Sequence, residues 1–280
     1  MNALHEPAAL RRARFVLAYD GSGFHGFAES RESGHDVRTV MGVLRTAIER
    51  VARVPIDLAG AGRTDAGVHA WGQVVSGDLP ADLDLDGLMR RINRMCGPAI
   101  SVRSAQWADD QAFNARFSAS YRHYRYHVWN APTAVPALAA TAWHVPGGLH
   151  LWAMQLGCDP LIGEHDFGSF CRKPKVPEGQ PTPSLRRRVI NATWCETDSD
   201  WGPGMLVFEI RANAFCHQMV RSIVGTLVDV GHGRIHAGDV RSVLLQRNRA
   251  AAGQVAPPHG LTLWEVGYNT GRAESVGDTQ

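Results

Sequence analysis

The 280-residue sequence contains no run of about 18 uninterrupted apolar residues, the length that a membrane-spanning helix needs. Residues 1–14 mix charged with short apolar side chains and lack the apolar block of a secretory signal. We therefore expect a cytoplasmic protein without a membrane segment. Because 44% of the residues are hydrophobic and 20% are charged, the chain can bury the core of one large domain or two modest ones.

The sequence also lacks the cysteine and histidine motifs of metal-binding and disulfide-rich proteins. The five cysteines are far apart and include no CxxC pair, so they support neither a disulfide framework nor a thiolate zinc site. We expect Cys171, Cys195 and Cys216 to be small buried residues or loop thiols. The 13 histidines include no HExxH, and no GxxxxGK(S/T) phosphate-binding loop occurs. The sequence therefore predicts no metal site.

Lysine is almost absent, since only Lys173 and Lys175 are lysines among the 29 basic residues. The planar guanidinium of arginine suits bidentate phosphate contacts and stacking on bases. The basic residues cluster at 11–14, 90–94, 172–175 and 186–188. A GC-rich genome and ordinary solvated faces explain this composition equally well, so the clusters permit a nucleic-acid partner without requiring one.

Hydrophobic periodicity predicts the element order β-α-β-β-α-β for the first half, which is the split βαβ or ferredoxin-like pattern. The predicted strands cover residues 14–19, 56–60, 73–76 and 100–107, and the predicted helices 39–54 and 85–95. The second half has predicted strands at 121–130, 187–195, 205–212 and 263–268, and helices at 149–161 and 215–230. The proline-rich segment 171–184 is expected to be a surface loop able to contact a polyanion. We expect frayed tails at 1–11 and 273–280.

The most unusual segment is 59–70, with the sequence AGAGRTDAGVHA. Its small residues leave the carboxylate of Asp65 uncovered, and the nearby cation of Arg63 would favour the ionised form, ready to act as a nucleophile or base. A tight turn, with Asp65 bonded to its own backbone and Gly67 at positive φ, explains the same residues. Composition alone favours the turn.

Five segments in order resemble the tRNA pseudouridine synthase A family. GRTDAGVHA is similar to the catalytic signature of that family. The other matching segments are YDGSGFHG (19–26), FNARFSA (113–119) running into YRY (124–126), ANAFCHQMVR (212–221) and APPHGLTL (256–263). The resemblance extends over nearly the whole chain.

The resemblance implies an isomerase that converts uridine to pseudouridine at positions 38–40 of the tRNA anticodon stem-loop, without a metal or organic cofactor, as a homodimer. It implies Asp65 as the nucleophile, attacking C1′ of the ribose or C6 of the base. Arg221 would pair with Asp65 and keep it ionised, and Arg63 would help to place the target strand. Tyr124 would lie against the uracil and assist proton removal from C5, with Leu261 on the other side of the base.

With the resemblance, we expect an α+β fold of two ferredoxin-like (RRM-like) halves, residues 1–114 and 115–280. Their strands would form one mixed, mainly antiparallel sheet with helices on one face and a central cleft carrying Asp65.

The residues are physically compatible with this chemistry. A stacked uracil must leave its helix at a cost of a few kcal/mol, and stacking on an aromatic side chain, worth about 1–3 kcal/mol, offsets that cost. Strand alternation puts Arg122, Tyr124 and Tyr126 on one face, which suits stacking with phosphate contact, although Tyr126 alone is better explained by core packing. Arg221 and His217 are spaced i, i+4, and we expect His217 to be structural.

Three departures from the family pattern lie away from Asp65: Phe27-Ala28 replaces Trp-Gln, Met41 replaces Gln, and 93–100 lacks an acid. Two alternatives stay open. One is a noncatalytic RNA-binding module that retains the cleft. The other is a nucleoside glycosidase, in which a carboxylate cleaves off uracil and water completes the reaction.

Overall fold

A single ten-stranded sheet runs through the described part of the molecule. The structure, a computed structural model, describes residues 9–29, 37–173, 176–177 and 179–268. The strands are β1 (Leu10–Tyr19), β2 (Leu58–Gly60), β3 (His69–Pro80), β4 (Ile100–Trp107), β5 (Ala119–Trp129), β6 (Trp143–His144), β7 (Gly163–Asp166), β8 (Arg186–Thr197), β9 (Met205–Ala212) and β10 (Leu261–Tyr268). The helices are α1 (Val40–Ala52), α2 (Leu85–Cys96), α3 (Leu151–Leu156), α4 (Met219–Gly231) and α5 (Asp239–Gln246).

The strand order is β4-β1-β3-β10-β5-β9-β8-β7, with β2 paired to β3 and β6 paired to β5. Neighbouring strands are antiparallel except for the pairs β3–β10 and β5–β6. This confirms the expected α+β class with a mixed, mainly antiparallel sheet. Because β10 is the last strand in the chain yet lies between β3 and β5, it joins the strands of the N-terminal part to those of the C-terminal part. The division into two ferredoxin-like halves, with helices on one face and a central cleft, stays a prediction.

The first two helices begin and end where local chemistry dictates. The side chain of Thr39 accepts a hydrogen bond from the N–H of Gly42 (3.2 Å) at the start of α1. At the start of α2, the side chain of Asp84 accepts a hydrogen bond from the N–H of Asp86 (3.1 Å). These caps satisfy N–H groups that have no partner within the helix. Helix α1 ends at Ala52, and the residue that follows it, Arg53, has a left-handed φ of 59°.

The main core lies between the sheet and the helices. Alternate residues of β1 are buried, as period-2 side-chain alternation requires: Ala13, Phe15, Leu17 and Tyr19. They share one cluster with the inward sides of the first two helices and with almost all of α4, including the apolar residues expected there: Val220, Ile223, Val224, Leu227 and Val228. Among the described residues, no helix is both long and apolar enough to cross a membrane.

Several predicted strand boundaries are wrong because pairing extends strands beyond their hydrophobic runs. Strand β1 begins at Leu10, which pairs with Pro80 of β3, so residues 10 and 11 belong to the sheet and not to a frayed tail. Strand β3 begins at His69, where it pairs with β10, and not at residue 73. The remaining residues of the predicted tails fall in or next to segments 1–8 and 269–280, which lie outside the described residues.

Two predicted helices are shorter than expected. Helix α3 ends at Leu156, and a 3-10 turn follows at Asp159–Leu161. Pro160 lies inside that turn and lacks the N–H that an α-helix would need. Helix α4 begins at Met219 and not at residue 215, because Gln218 has a left-handed φ of 65°. The structure adds β6, β7 and α5, which lack a clear periodic signal in the sequence.

Candidate active site

The segment between β2 and β3, residues 61–68, holds Asp65 and is called here the Asp65 loop. Its backbone is fixed from within the molecule. The side-chain amide of Gln73 donates to the carbonyl of Gly62 (2.8 Å). The hydroxyls of Tyr19 and Thr64 are hydrogen-bonded at 2.8 Å in a buried position. These contacts fix the chain on the N-terminal side of Asp65.

The tight turn suggested by composition is also present in this loop. The carbonyl of Asp65 accepts a hydrogen bond from the N–H of Val68 (3.2 Å), and Gly67 has a φ of 78°. A side chain at position 67 would need a left-handed backbone and would press on Pro258. The tight turn and the accessible carboxylate therefore occur together, because the turn leaves the side chain of Asp65 partly exposed.

Two side chains from the region of α4 meet the carboxylate of Asp65. Arg221 donates through Nη1 to Oδ2 at 2.8 Å, and its Nε donates to the carbonyl of Ala256 at 2.7 Å. His217 Nε2 lies 3.2 Å from Oδ1. The Asp65 side chain remains 23% exposed. The carboxylate is thus held by a cation and an imidazole while a ligand can still reach it.

The segment before α4, residues 213–218, is called here the α4 approach. Cys216 forms a disulfide with Cys171, with a Cα–Cα distance of 5.7 Å. The N–H of Arg172 donates to the carbonyl of His217 (3.0 Å), so the two segments are joined at two adjacent points. The expectation that these cysteines are unbridged is therefore wrong. Their separation of 45 residues carries no motif, and only the fold brings them together.

Cys195 and the loop 171–184 also differ from expectation. Cys195 lies on β8 and is exposed, so it is neither buried nor a loop thiol. The expected surface loop contains residues 174, 175 and 178, which lie outside the described residues. Its contact with a polyanion stays a prediction.

The two tyrosines on the inner face of β5 have different environments. Tyr124 is 7% exposed, and its ring meets that of Phe215 edge-on at a centroid distance of 5.1 Å. Burial raises the pKa of Tyr124 well above its ordinary value of about 10, and the nearby Tyr19 and Asp65 raise it further. Tyr126 is fully buried, and its hydroxyl donates to the carbonyl of Pro257 (2.8 Å). Tyr126 therefore belongs to the core, as its sequence context suggests.

Leu261 begins β10 and lies opposite Tyr126 in the strand pairing. Its side chain is buried. The next inward residue of the strand, Leu263, lies opposite Tyr124. The structure therefore brings Leu261 to the same strand pair as Tyr124, although little of its surface is free in this conformation.

Arg122 connects the two sides of the site through backbone carbonyls. Its guanidinium donates to Ala61 (2.9 Å) at the start of the Asp65 loop and to Asn213 (2.8 Å) at the start of the α4 approach. It also donates to Arg116 (2.6 Å) in the segment before β5. Burial lowers the pKa of Arg122 from its ordinary value. The sequence suggested phosphate contact for this residue, but its donors are used within the protein.

Arg63 lies apart from the carboxylate that it was expected to influence. Its side chain is exposed, and it forms no hydrogen bond or ion pair with any described residue. The cation at Asp65 is therefore Arg221. Across the described ranges, no group of three or more His, Cys, Asp or Glu side chains is arranged to hold a metal ion.

A family model described as tRNA pseudouridine synthase matches residues 16–118 and 158–269 of the chain. The chain belongs to this tRNA pseudouridine synthase family. It is therefore a tRNA-modifying isomerase. Asp65, His217, Arg221 and Leu261 fall inside the matched segments, whereas Tyr124 falls between them.

Curated relatives of the family match this chain over most of their own length. The chain is 42% identical to tRNA pseudouridine synthase A of Frankia casuarinae, over 92% of this chain and 90% of the relative. It is 38% identical to the enzymes of the same name from Corynebacterium glutamicum and Brevibacillus brevis, over 92% of this chain and 89% and 100% of those relatives. The family membership thus applies to nearly the whole chain.

Proposed function

We propose that the protein converts uridine to pseudouridine at positions 38–40 of the tRNA anticodon stem-loop, with Asp65 as nucleophile on a base flipped out of its stack. The observation that carries the proposal is the carboxylate of Asp65. It accepts from Arg221 at 2.8 Å and lies 3.2 Å from His217, yet it is still partly exposed. The guanidinium fixes the position of the carboxylate, and a carboxylate placed in this way can act as a nucleophile.

The reaction balances without a cofactor. Attack by Asp65 at C1′ of the ribose or at C6 of the base allows the bond between N1 and C1′ to break. The uracil then turns, a bond forms between C5 and C1′, and the bond to Asp65 breaks. The proton on C5 leaves to solvent, and N1 takes up a proton from solvent, so the product is an isomer of the substrate. Because the base must first leave its helix, the site has to supply replacement contacts.

Tyr124 supports the proposal as a stacking surface. Burial raises the pKa of Tyr124, which favours the protonated hydroxyl over a phenolate base. We therefore assign it contact with the uracil ring in preference to removal of the C5 proton. Leu261, on the strand beside it, would contact the other side of the base, and exposed Arg63 would contact the target strand.

The finer expectations on architecture belong to the same proposal. The N-terminal strand arrangement, with β1 between β4 and β3 and with β2 also on β3, supports a ferredoxin-like unit. We propose a second ferredoxin-like unit in residues 115–280, with a central cleft between the two units. We also propose that the protein is a homodimer in solution and that it is cytoplasmic.

Release of tritium from tRNA labelled at uracil C5 tests the function. We expect release without free uracil from the native protein, and none from Asp65→Asn. Unlabelled product cleaved to oligonucleotides of known sequence would test whether the pseudouridine lies at positions 38–40. Release of free uracil would show a glycosidase instead, and tRNA binding without tritium release would show a noncatalytic module; either result overturns the proposal.

A further inference from the structure

A second concave feature lies on the helical layer formed by α1 and α2. It is a groove of about 380 Å³ lined by Arg50, Val51, Arg53, Arg91, Arg94 and Met95. We call it the arginine groove. Four of its six lining residues are cations, and none is acidic.

The four arginines are charged groups without a counterion. All four are exposed, and none forms a side-chain hydrogen bond or ion pair with another residue in the described part of the chain. Other arginines on the same two helices are paired: Arg45 lies 2.7 Å from Glu29, and Arg90 lies 3.8 Å from Asp84. Carboxylates are thus available on this layer but do not line the groove. Four like charges around one hollow repel each other, and a polyanion relieves that repulsion.

Helix dipoles explain only part of this arrangement. Arg50 and Arg94 lie in the last turns of α1 and α2, where a cation complements the negative end of the dipole. Arg91 lies one turn earlier in α2, where the helix dipole stabilises a cation only weakly. Arg53 occupies a left-handed position (φ 59°) that glycine or asparagine usually fills. Both extra cations face the same groove, which favours a ligand over a purely helix-stabilising role.

The floor of the groove is apolar. Val51 is half-buried, and Met95 is exposed beside the cationic rim. A ribose-phosphate backbone matches this combination, because its phosphates meet guanidinium groups while its sugars rest on apolar surface.

The groove is separate from the Asp65 loop. Helix α1 begins beside that loop: the N–H of Met41 donates to the carbonyl of Phe27, and the N–H of Phe27 donates to the carbonyl of Thr64. Arg50 comes ten residues after Val40, which is about 15 Å further along the helix axis at about 1.5 Å per residue. An RNA duplex running alongside α1 would cover that distance within one helical turn.

We propose that the arginine groove binds the ribose-phosphate backbone of the RNA substrate at a point removed from the target uridine. The identity of that RNA as tRNA rests on the proposed function. The groove then contributes to affinity and leaves the chemical step at Asp65 unchanged.

The test compares groove variants with matched controls in binding of fluorescently labelled tRNA, measured by anisotropy at several salt concentrations. The groove variants are Arg50→Gln, Arg91→Gln, Arg94→Gln and the triple variant. Arg90→Gln removes a paired charge from α2, and Arg241→Gln removes an exposed charge from α5. The variant in which all three groove positions carry lysine keeps the charges. Melting temperatures check that every variant is folded.

We expect each groove substitution to raise the Kd about 3- to 10-fold and to lower the slope of log K against log salt by about one. The triple glutamine variant should raise the Kd by at least about 50-fold, the lysine variant should recover most of the affinity, and both controls should stay within about 2-fold. The kcat for tritium release at saturating tRNA should not change.

Equal losses in groove variants and Arg241→Gln, or a fall in kcat with unchanged Kd, would overturn the proposal. The anisotropy assay measures binding independently of catalysis. The proposed function and the proposed role of the arginine groove can therefore be contradicted separately. Groove-dependent tRNA binding without any tritium release would contradict only the proposed function. Tritium release with native affinity in the triple variant would contradict only the groove.

Discussion

The two sides of the candidate site are held by different kinds of contact. The Asp65 loop is fixed by buried contacts, such as the hydroxyl pair of Tyr19 and Thr64, and its turn is closed by its own backbone. The α4 approach ends at Gln218, which has a left-handed conformation. The residue before it, His217, has a side chain that is 49% exposed. The loop therefore fixes where the carboxylate is, and the α4 region supplies the charge around it.

We therefore expect substitutions on the two sides of the site to have different effects. Substitutions in the Asp65 loop remove the nucleophile itself or loosen the fold around it. Substitutions near α4 leave the loop in place and change the electrostatic environment of the carboxylate. Kinetics and unfolding measurements on the same variants separate the two effects.

Asp65→Asn should give the largest loss. The amide has nearly the same shape but cannot act as a carboxylate nucleophile, so we expect tritium release to fall by at least about 1,000-fold. The Kd for tRNA should stay within about 3-fold, as measured by anisotropy. Substantial turnover by Asp65→Asn would remove the mechanism, whatever the behaviour of the α4 side.

Arg221→Ala should give the next largest loss. It removes both the partner of Asp65 and the hydrogen bond to Ala256, so we expect single-turnover rates to fall about 100-fold. Arg221→Lys keeps the charge but cannot donate in both directions, and should recover about 10-fold of that loss. If the alanine variant retained the native rate, the electrostatic role assigned to the α4 side would be wrong.

His217→Gln should have a smaller effect. The imidazole lies at 3.2 Å from Asp65 but is half exposed, so solvent replaces much of its interaction. We expect kcat to fall about 2- to 5-fold with little change in KM. His236→Gln, at an exposed position after α4, is the control and should behave as the native protein. A loss as large as that of Arg221→Ala would make His217 an equal partner in catalysis.

The double-mutant cycle of Tyr19→Phe and Thr64→Val tests the contacts that fix the Asp65 loop. Removing one buried hydroxyl takes a hydrogen-bond partner from the other, so each single variant should lose about 1–2 kcal/mol in free energy of unfolding. The two losses should be coupled by about 1 kcal/mol, as measured by urea unfolding. Additive losses would mean that this hydroxyl pair does not fix the loop.

The parts of the fold and site that could be predicted have local signals. The strand at 100–107 and helix α2 follow from hydrophobic periodicity. The GRTDAGVHA motif located Asp65, and the spacing within ANAFCHQMVR placed Arg221 near the start of a helix. Their roles in catalysis stay predictions until the variants are measured.

The parts that could not be predicted depend on distant chain segments. The left-handed Gln218 shortens α4 and has no signal in the residue type. The bond between Cys171 and Cys216 needs β8 and β9 to form between them in the chain. The carbonyl partners of Arg122 are backbone atoms, which leave no mark in the sequence.

The bonds of Arg122 have a consequence for how the sequence can vary. Its partners at positions 61, 116 and 213 are carbonyls, which every amino acid has, so those positions can change without losing the hydrogen bonds. The arginine has no such freedom, because a lysine has a single ammonium group in place of a planar fork. Divergence around the two sides of the site is therefore tolerated as long as this one arginine side chain is retained.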